Sequence, residues 1–188
     1  SLEFGSEIKL AEGIVANKGI LPSLEQLKNS KGAVANFSIG QGNIALSPLA
    51  VCNLYSAIAN GGYYYSPTLV EGYTQNGKYC KTLIKEKKQV FSKETAEFLK
   101  GALIQAVEIG TGKAAKPTQI GAGGKTATAQ TGQYSNGKEI LNGWFCGFFP
   151  EKEPQYAAVI LFEDAISGGV NAAPIFKQLA EKICSNSK

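Results

Sequence analysis

The sequence predicts an α+β domain: a three-stranded antiparallel sheet near the C-terminus, a terminal helix packed on that sheet, and two further helices. Three strand-like segments follow one another near the C-terminus, at residues 125–131, 144–149 and 155–162. Their connections are too short for a crossover, which favours antiparallel pairing. Apolar residues at helical spacing, each run beginning near a serine or a proline, predict the three helices.

The composition is that of an ordinary folded protein. The chain has 188 residues, enough for one domain with a real core, with 44% hydrophobic and 18% charged residues. The net charge is +4, and the basic cluster of Lys85, Lys87 and Lys88 surrounds Glu86, which is typical of a solvated surface. We therefore expect no nucleic-acid partner.

Two absences from the sequence bound the protein's context. No stretch approaches the ~20 apolar residues of a membrane-spanning helix, so we expect membrane attachment only through a segment outside this sequence. Methionine is missing from every position, including the first. We therefore expect the sequence to be a piece of a longer protein.

The cysteines and the missing histidines restrict the chemistry. Four cysteines lie far apart without C-x-x-C pairing, at positions 52, 80, 146 and 184. Because there is also no histidine, we expect no zinc site, and neither metal nor cofactor is predicted. Ser-His-Asp and Cys-His machinery are excluded as well, so any nucleophile must be activated by a lysine, a carboxylate or water. Cys52, Cys146 and Cys184 fall in apolar patterns and are predicted to be free buried thiols, although the sequence leaves their redox state open.

The first half of the chain is predicted to contain one irregular segment, one helix and β-rich pieces. Residues 1–46 are rich in Gly, Ser and Asn and are predicted to be mostly irregular. Ser47 followed by Pro48 predicts a helix N-terminus, and the glycines at 61 and 62 end that helix. Residues 63–73 are β-rich, and Asn76-Gly77 predicts a hairpin turn into a strand over 79–84.

The second half supplies the remaining helices and the sheet. Ser92 caps a helix that Gly110 ends, and a Gly- and Lys-rich loop follows to about residue 123. Turns at 135–137 and 150–154 separate the three strands. Pro174 opens the last helix, reaching about Cys184, with apolar residues at 175, 179 and 183 on one face.

Two nucleotide-binding patterns fail on inspection. Gly123-Gly124-Lys125-Thr126 resembles the end of a P-loop, but position 119 is Gln119 instead of glycine, and the residues that follow favour a strand. Residues 40–45 match G-x-G-x-x-A, yet the next helix begins only at Ser47, too late to hold a pyrophosphate at the glycines. A tight turn before a capped helix explains that segment better.

A set of motifs in fixed order resembles the penicillin-binding transpeptidase domain, closest to its class B, monofunctional branch. The matching segments are GQG at 40–42, SPL at 47–49, AIANGG at 57–62, GTGKAA at 110–115, KTATAQ at 125–130, WFCGFFP at 144–150 and AAPIF at 172–176. The Lys-Thr-Ala box stands where the family has K-T-G. The resemblance spans residues 4 to about 184 and makes this chain the C-terminal part of one such domain.

This resemblance implies a function and a site. The activity would be cross-linking of peptidoglycan stem peptides through a serine acyl-enzyme, with β-lactams as suicide analogues, at the extracytoplasmic face of the bacterial membrane. Lys125 and Thr128 would be catalytic, Lys125 as a fixed cation and Thr128 through its backbone N–H as an oxyanion donor. The substrate-binding residues would be Thr126, Ala127, Thr128 and Gln130. Strict alternation puts Lys125 and Thr126 on opposite faces, so both serve only if the strand lies edge-on to the cleft.

Two departures from the family pattern matter. Ala127 replaces the family's glycine and adds a Cβ where ligand and backbone approach closely. The S-x-x-K nucleophile is missing: the formal matches begin at Ser6, Ser135 and Ser185, and we interpret all three as chance. No S-x-N triplet occurs either. The isolated chain is therefore predicted to be inactive.

Two expectations remain open at this stage. A non-catalytic β-lactam sensor or peptide-binding module with the same sheet is the alternative function, because such domains also carry K-T-G. The continuous apolar run at 157–162 is typical of a strand covered on both faces in a sheet interior. In the family its neighbouring strands come from upstream sequence, so one edge of segment 155–162 should be bare here. We expect it to pair with a second copy or to be covered by residues 1–35.

Overall fold

A computed structural model describes residues 2–82 and 87–185. The chain-order elements in these residues are β1 (Ile8–Ala11), β2 (Ile14–Ala16), α1 (Leu24–Asn29), α2 (Lys31–Ser38), α3 (Pro48–Ala59), β3 (Tyr63–Tyr65), β4 (Gly72–Gln75), β5 (Lys78–Lys81), β6 (Lys87–Gln89), α4 (Lys93–Glu108), β7 (Gly123–Ser135), β8 (Lys138–Phe149), β9 (Tyr156–Phe162) and α5 (Ala173–Ser185). The α+β prediction is confirmed, as is each of the three helices expected from the sequence.

The predicted sheet is present and antiparallel, in the order β7-β8-β9. Lys125 lies opposite Cys146, and Cys146 lies opposite Val159. The turn between β7 and β8 uses Asn136 at φ 50° and Gly137 at φ 75°, the left-handed pair that a two-residue hairpin requires. Both strands run further towards this turn than predicted, because pairing continues through a register shift between Gln130 and Tyr134.

The core forms where β8 meets α5. Phe145 and Phe149 contact Phe176, with ring centroids 4.6 Å and 5.5 Å apart. All three rings are fully buried, and burial of each contributes on the order of 1.5–3 kcal/mol. Residues 145–149 are all buried, so both faces of β8 are covered, since successive side chains of a strand point to opposite faces.

The buried face of α5 is centred on Phe176 and only partly coincides with the apolar positions noted in the sequence. Ala173, Phe176 and Ala180 are buried, whereas Ile175 is 39% exposed. The position of Phe176 against the two rings of β8 sets the rotation of the helix, and alanines on either side of it allow close approach to the sheet. Of the apolar positions 175, 179 and 183, Ile183 packs against this core, whereas Ile175 does not.

Residues 1–46 contain more regular structure than the sequence predicted. Strands β1 and β2 form a hairpin, and helices α1 and α2 follow. Ser23 and Gln26 make a reciprocal capping box at α1, and Ser30 caps α2. Both helices are short, and neither has a buried residue. Because they are specified by their local caps, no apolar periodicity in the sequence predicted them.

The middle of the chain confirms the predicted turns. Ser47 caps α3 with Pro48 at its start, and the turn at Asn76-Gly77 joins β4 to β5. The positive φ of Gly62 brings its backbone against Phe91, where a Cβ would lie 2.3 Å from the Phe91 carbonyl oxygen. The end of the predicted strand 79–84, and Lys85 and Glu86 of the basic cluster, lie outside the described residues.

Strand β9 forms one end of the sheet. Over residues 2–82 and 87–185, β8 is the only strand that pairs with it. Its positions 157–161 are half-buried, which fits a strand with covered faces and one open edge. Strands β1 and β2, which lie within residues 1–35, form a separate two-stranded sheet, so neither pairs with β9.

Candidate active site

The site is built on the open edge of β7. Among the described residues this strand pairs only with β8. The carbonyl oxygens of Thr126 and Thr128 accept hydrogen bonds from side chains outside the β7-β8 ladder, from Lys125 Nζ at 2.8 Å and from Gln41 Nε2 at 3.3 Å. In an antiparallel strand the N–H and C=O of one residue point to the same side, and that side recurs at every second residue. The N–H of Thr128 therefore also faces the open edge.

Lys125 and Thr126 come together although they start on opposite faces of the strand. The lysine stem curls around the edge, so that Nζ lies 2.8 Å from the Thr126 carbonyl oxygen and 3.3 Å from Thr126 Oγ1. Lys125 is exposed, while Thr126 is half-buried. The arrangement presents a cation at the start of an unpaired strand edge, which is where an anionic, extended ligand would be held.

Thr111 is part of this cluster, although no role for it was predicted from the sequence. Its Oγ1 accepts a hydrogen bond from Lys125 Nζ at 3.3 Å and another from Thr126 Oγ1 at 3.1 Å. Thr111 follows α4 within the Gly-Thr-Gly segment, and α4 packs against β7. One hint of this role lies in the sequence, because the Gly-Thr-Gly segment comes shortly before the strand that carries Lys125. No spacing rule, however, predicts that a loop hydroxyl contacts a lysine 14 residues later.

The other predicted site residues are placed less centrally. Ala127 pairs with Trp144 and is exposed, so the fold has room for its Cβ. Thr128 is exposed, and its carbonyl is engaged by Gln41. Gln130 donates to Glu139 across the hairpin at 3.0 Å and does not join the lysine cluster.

The serine-lysine strings remain poor nucleophile candidates. Ser6 lies in the loop before β1, and Ser135 lies at the end of β7 beside the hairpin turn. Neither serine is at a helix N-terminus. The third string starts at Ser185, the last residue of α5, and its lysine at 188 lies outside the described residues.

A pair of thiols lies behind the sheet instead of at the site. Cys52 of α3 donates to the carbonyl oxygen of Ala157 on β9 at 3.5 Å. Burial, and secondarily the neighbouring Cys52, raises the pKa of Cys146 to about 12. Burial also raises the pKa of Cys52, and burial followed by the nearby Cys146 raises that of Tyr55. All four cysteines of the chain are free, and these two are protonated at neutral pH.

Residues 2–82 and 87–185 contain neither a metal-binding cluster nor a membrane-spanning helix. In the described part of the chain, no three His, Cys, Asp or Glu side chains are grouped so that they would hold a metal ion. Its helices, over the same residues, are too short or too polar to cross a membrane.

A lysine-threonine strand thus lies at the sheet edge, and the C-terminal helix packs on the sheet. The chain belongs to the penicillin binding protein transpeptidase domain family, which matches residues 4–181.

Individual relatives agree with this assignment. The chain is 36% identical over 168 residues to stage V sporulation protein D of Bacillus subtilis, covering 84% of this chain and 25% of that protein. It is 31% identical over 179 residues to the peptidoglycan D,D-transpeptidase FtsI homolog of Mesostigma viride, covering 82% of this chain and 29% of that protein. The chain thus spans between a quarter and a third of these two relatives.

Solved structures show the same fold. The D,D-transpeptidase domain of a peptidoglycan glycosyltransferase from Eggerthella lenta aligns with a TM-score of 0.82 at 26% identity, over 98% of this chain and 46% of that one. Penicillin binding protein 3 of Mycobacterium tuberculosis, complexed with ampicillin, aligns with a TM-score of 0.83 at 24% identity, over 99% and 44%.

Proposed function

We propose that this chain is the C-terminal part of a serine-type peptidoglycan D,D-transpeptidase that cross-links stem peptides and is acylated by β-lactams. The observation that carries the proposal is the open edge of β7, which begins with the Lys125 cation and presents the backbone of Thr128. The names of the relatives support the activity. The nucleophile is supplied by sequence outside this chain.

Each residue type fits a step of acyl transfer. Lys125 supplies a fixed positive charge beside the reacting serine, favouring the substrate carboxylate and assisting proton transfer. The hydroxyls of Thr126 and Thr128 hydrogen-bond that carboxylate, with Gln130 further along the strand. The N–H of Thr128 is one of two oxyanion donors, the other being the N–H of the serine. The peptide or β-lactam backbone adds to β7 as an extra strand, beside Ala127.

Cellular context follows from the proposed activity. Peptidoglycan lies outside the cytoplasmic membrane, so the complete protein acts at the extracytoplasmic face and is attached through a segment outside this sequence. The reaction needs no cofactor, since the acyl group passes from peptide to serine to acceptor amine. The chain by itself binds ligand weakly and forms no acyl-enzyme.

The open edge of β9 adds a second element to the proposal. Its half-buried apolar run fits a strand that is paired on both sides in the complete domain. Upstream sequence covers this edge there. In the isolated chain a second copy pairs with it instead.

Acylation kinetics of the complete protein test the proposed function. Lys125→Ala should slow acylation by a labelled penicillin by about a hundredfold or more, comparable to the loss of one oxyanion donor. Lys138→Ala, an exposed lysine beside the hairpin turn, is the matched control and should acylate at the wild-type rate. Ala127→Gly should be neutral or slightly faster. Binding of penicillin without any covalent adduct in the wild-type protein would instead identify a non-catalytic sensor.

A further inference from the structure

The residues on both sides of Thr111 are hydrogen-bonded to the end of α4. The N–H of Gly110 bonds the carbonyl oxygen of Gln105 at 3.2 Å, and that of Gly112 bonds the carbonyl oxygen of Ala106 at 2.9 Å. A Cβ on Gly110 would lie 2.8 Å from that Ala106 oxygen, and one on Gly112 would lie 3.0 Å from it. Both neighbours of Thr111 are therefore glycines because the loop rests directly on the helix backbone. Its hydroxyl faces β7, where Lys125 and Thr126 hydrogen-bond it.

The hydrogen-bond inventory around Lys125 leaves one hydroxyl hydrogen uncommitted. The ammonium group only donates, to Thr111 Oγ1, Thr126 Oγ1 and the Thr126 carbonyl. The two hydroxyls are 3.1 Å apart and share one hydrogen bond, which uses one of their two hydrogens. The other hydrogen is free to point away from the cluster, and Thr111 is exposed at that surface.

The ammonium group of Lys125 also makes only long contacts with its hydroxyl partners. Its contacts with the two hydroxyls are both 3.3 Å, longer than the ~2.7–2.9 Å of a charge-assisted pair with a carboxylate. Over residues 2–82 and 87–185 no carboxylate comes within ion-pair distance of this lysine. A ligand carboxylate would replace two weak contacts with strong ones and would take up the spare hydroxyl hydrogen.

We infer that Thr111 is a further carboxylate-binding residue, which donates its hydroxyl hydrogen to the carboxylate of the peptide or β-lactam beside Lys125. The inference rests on the proposed function and adds to it a donor from a different element. Thr126 and Thr128 approach the ligand from the strand, Thr126 by turning its hydroxyl hydrogen from Thr111 to the carboxylate. Thr111 approaches from the loop after α4. The ligand class is an extended amide or lactam that carries a carboxylate.

The test compares a penicillin with its methyl ester on the complete protein. Thr111→Val keeps the shape of the side chain and removes the hydroxyl, while Thr111→Ser restores it. Loss of one hydrogen bond to a charged group should lower the acylation efficiency of the acid by about tenfold and leave that of the ester unchanged. Thr118→Val is the matched control, because Thr118 bonds Glu181 of α5 and has no contact with the lysine cluster.

The outcomes separate this inference from the proposed function. A tenfold fall in the acid-to-ester ratio for Thr111→Val, rescued by Thr111→Ser, supports the carboxylate contact. An unchanged ratio overturns it, whether both ligands react normally or both slow equally. If Lys125→Ala slows acylation while Thr111→Val keeps the wild-type ratio, only the role of Thr111 is lost. If the wild-type protein is not acylated at all, the proposed function itself fails.

Discussion

The two ends of one sheet differ in chemistry. The open edge of β7 carries a lysine and hydroxyl side chains, and two of its carbonyls are already engaged by Lys125 and Gln41. The open edge of β9 belongs to an apolar run whose side chains are half-buried. The thiol of Cys52 on α3 donates a hydrogen bond to the carbonyl of Ala157 in this strand. An apolar open edge is a template for pairing with another strand, whereas an edge that carries a lysine and hydroxyls favours an anionic, extended ligand. One edge is therefore suited to a ligand and the other to a strand.

The largest expected effect is a difference in β-lactam acylation between the isolated chain and the complete protein. The chain alone should show no covalent adduct after incubation with labelled penicillin, because deleting a serine nucleophile costs on the order of a millionfold in turnover. Intact-mass measurement detects a stoichiometric increase directly, and the complete protein is the positive control. An adduct on the isolated chain would contradict this expectation and direct attention to Ser6 and Ser135.

The sequence predicted features that depend on local patterns and missed those that depend on contacts between distant segments. The strands and α3 were predictable because capping serines, Asn-Gly turns and apolar runs act locally. Contacts between distant segments were not. Gln41 meets Thr128 across 87 positions, and such pairing depends on how α3 and α4 pack, which local patterns do not encode. The central place of Phe176 on α5 was missed for the same reason, because its contacts with Phe145 and Phe149 decide it.

Hydrogen exchange would test the contrast between β8 and β9. Amides of β8 in the sheet centre should exchange at least about a thousandfold more slowly than open-edge amides, because the former require global unfolding. If a second copy covers β9 in the isolated chain, amides at 157–161 should be protected as well, in step with a dimer seen by light scattering. Rapid exchange throughout 157–161 in a clean monomer would contradict both the dimer and the interior-strand assignment.

A glycine beside the site should control the stability of the ladder. A Cβ on Gly168 would lie 2.1 Å from the carbonyl oxygen of Trp144 and 2.4 Å from that of Ala127, a facing pair of the sheet. Since backbone atoms cannot move aside, Gly168→Ala should lower the free energy of unfolding by about 1–3 kcal/mol in urea titrations. Gly169→Ala is the control, because its nearest atoms are 3.8 Å away. Equal stability of the two variants would show that the segment shifts freely.

The thiols behind β8 and β9 should make stability depend on alkaline pH. Unfolded thiols titrate near 9.0, whereas the pKa of Cys146 in the fold is about 12. Above pH 9 the unfolded state loses a proton that the folded state keeps, so the free energy of unfolding falls as pH rises, by up to about 1.4 kcal/mol per unit per thiol. Cys146→Ala should flatten this slope, while Cys80→Ala on the β4-β5 hairpin should retain it. An unchanged slope in Cys146→Ala would place the titrating group elsewhere.

The smallest expected effect concerns Gln41, which joins the first half of the chain to the open edge of β7. Its amide donates to the Thr128 carbonyl at 3.3 Å, and glycines at positive φ on both sides of it fix its loop. The N–H of Thr128 is the proposed oxyanion donor. Because Gln41 bonds the carbonyl of the same residue, it helps to hold that N–H in position.

Losing one neutral hydrogen bond is worth about 1 kcal/mol, so Gln41→Ala should slow acylation of the complete protein about fivefold. The initial binding constant for penicillin should change little, because Lys125 and the threonines remain. Gln41→Glu should lose at least as much, since a carboxylate does not donate and would face a carbonyl oxygen. Faster acylation of Gln41→Ala would reverse the interpretation, showing that the glutamine amide occupies the place of a ligand amide on β7.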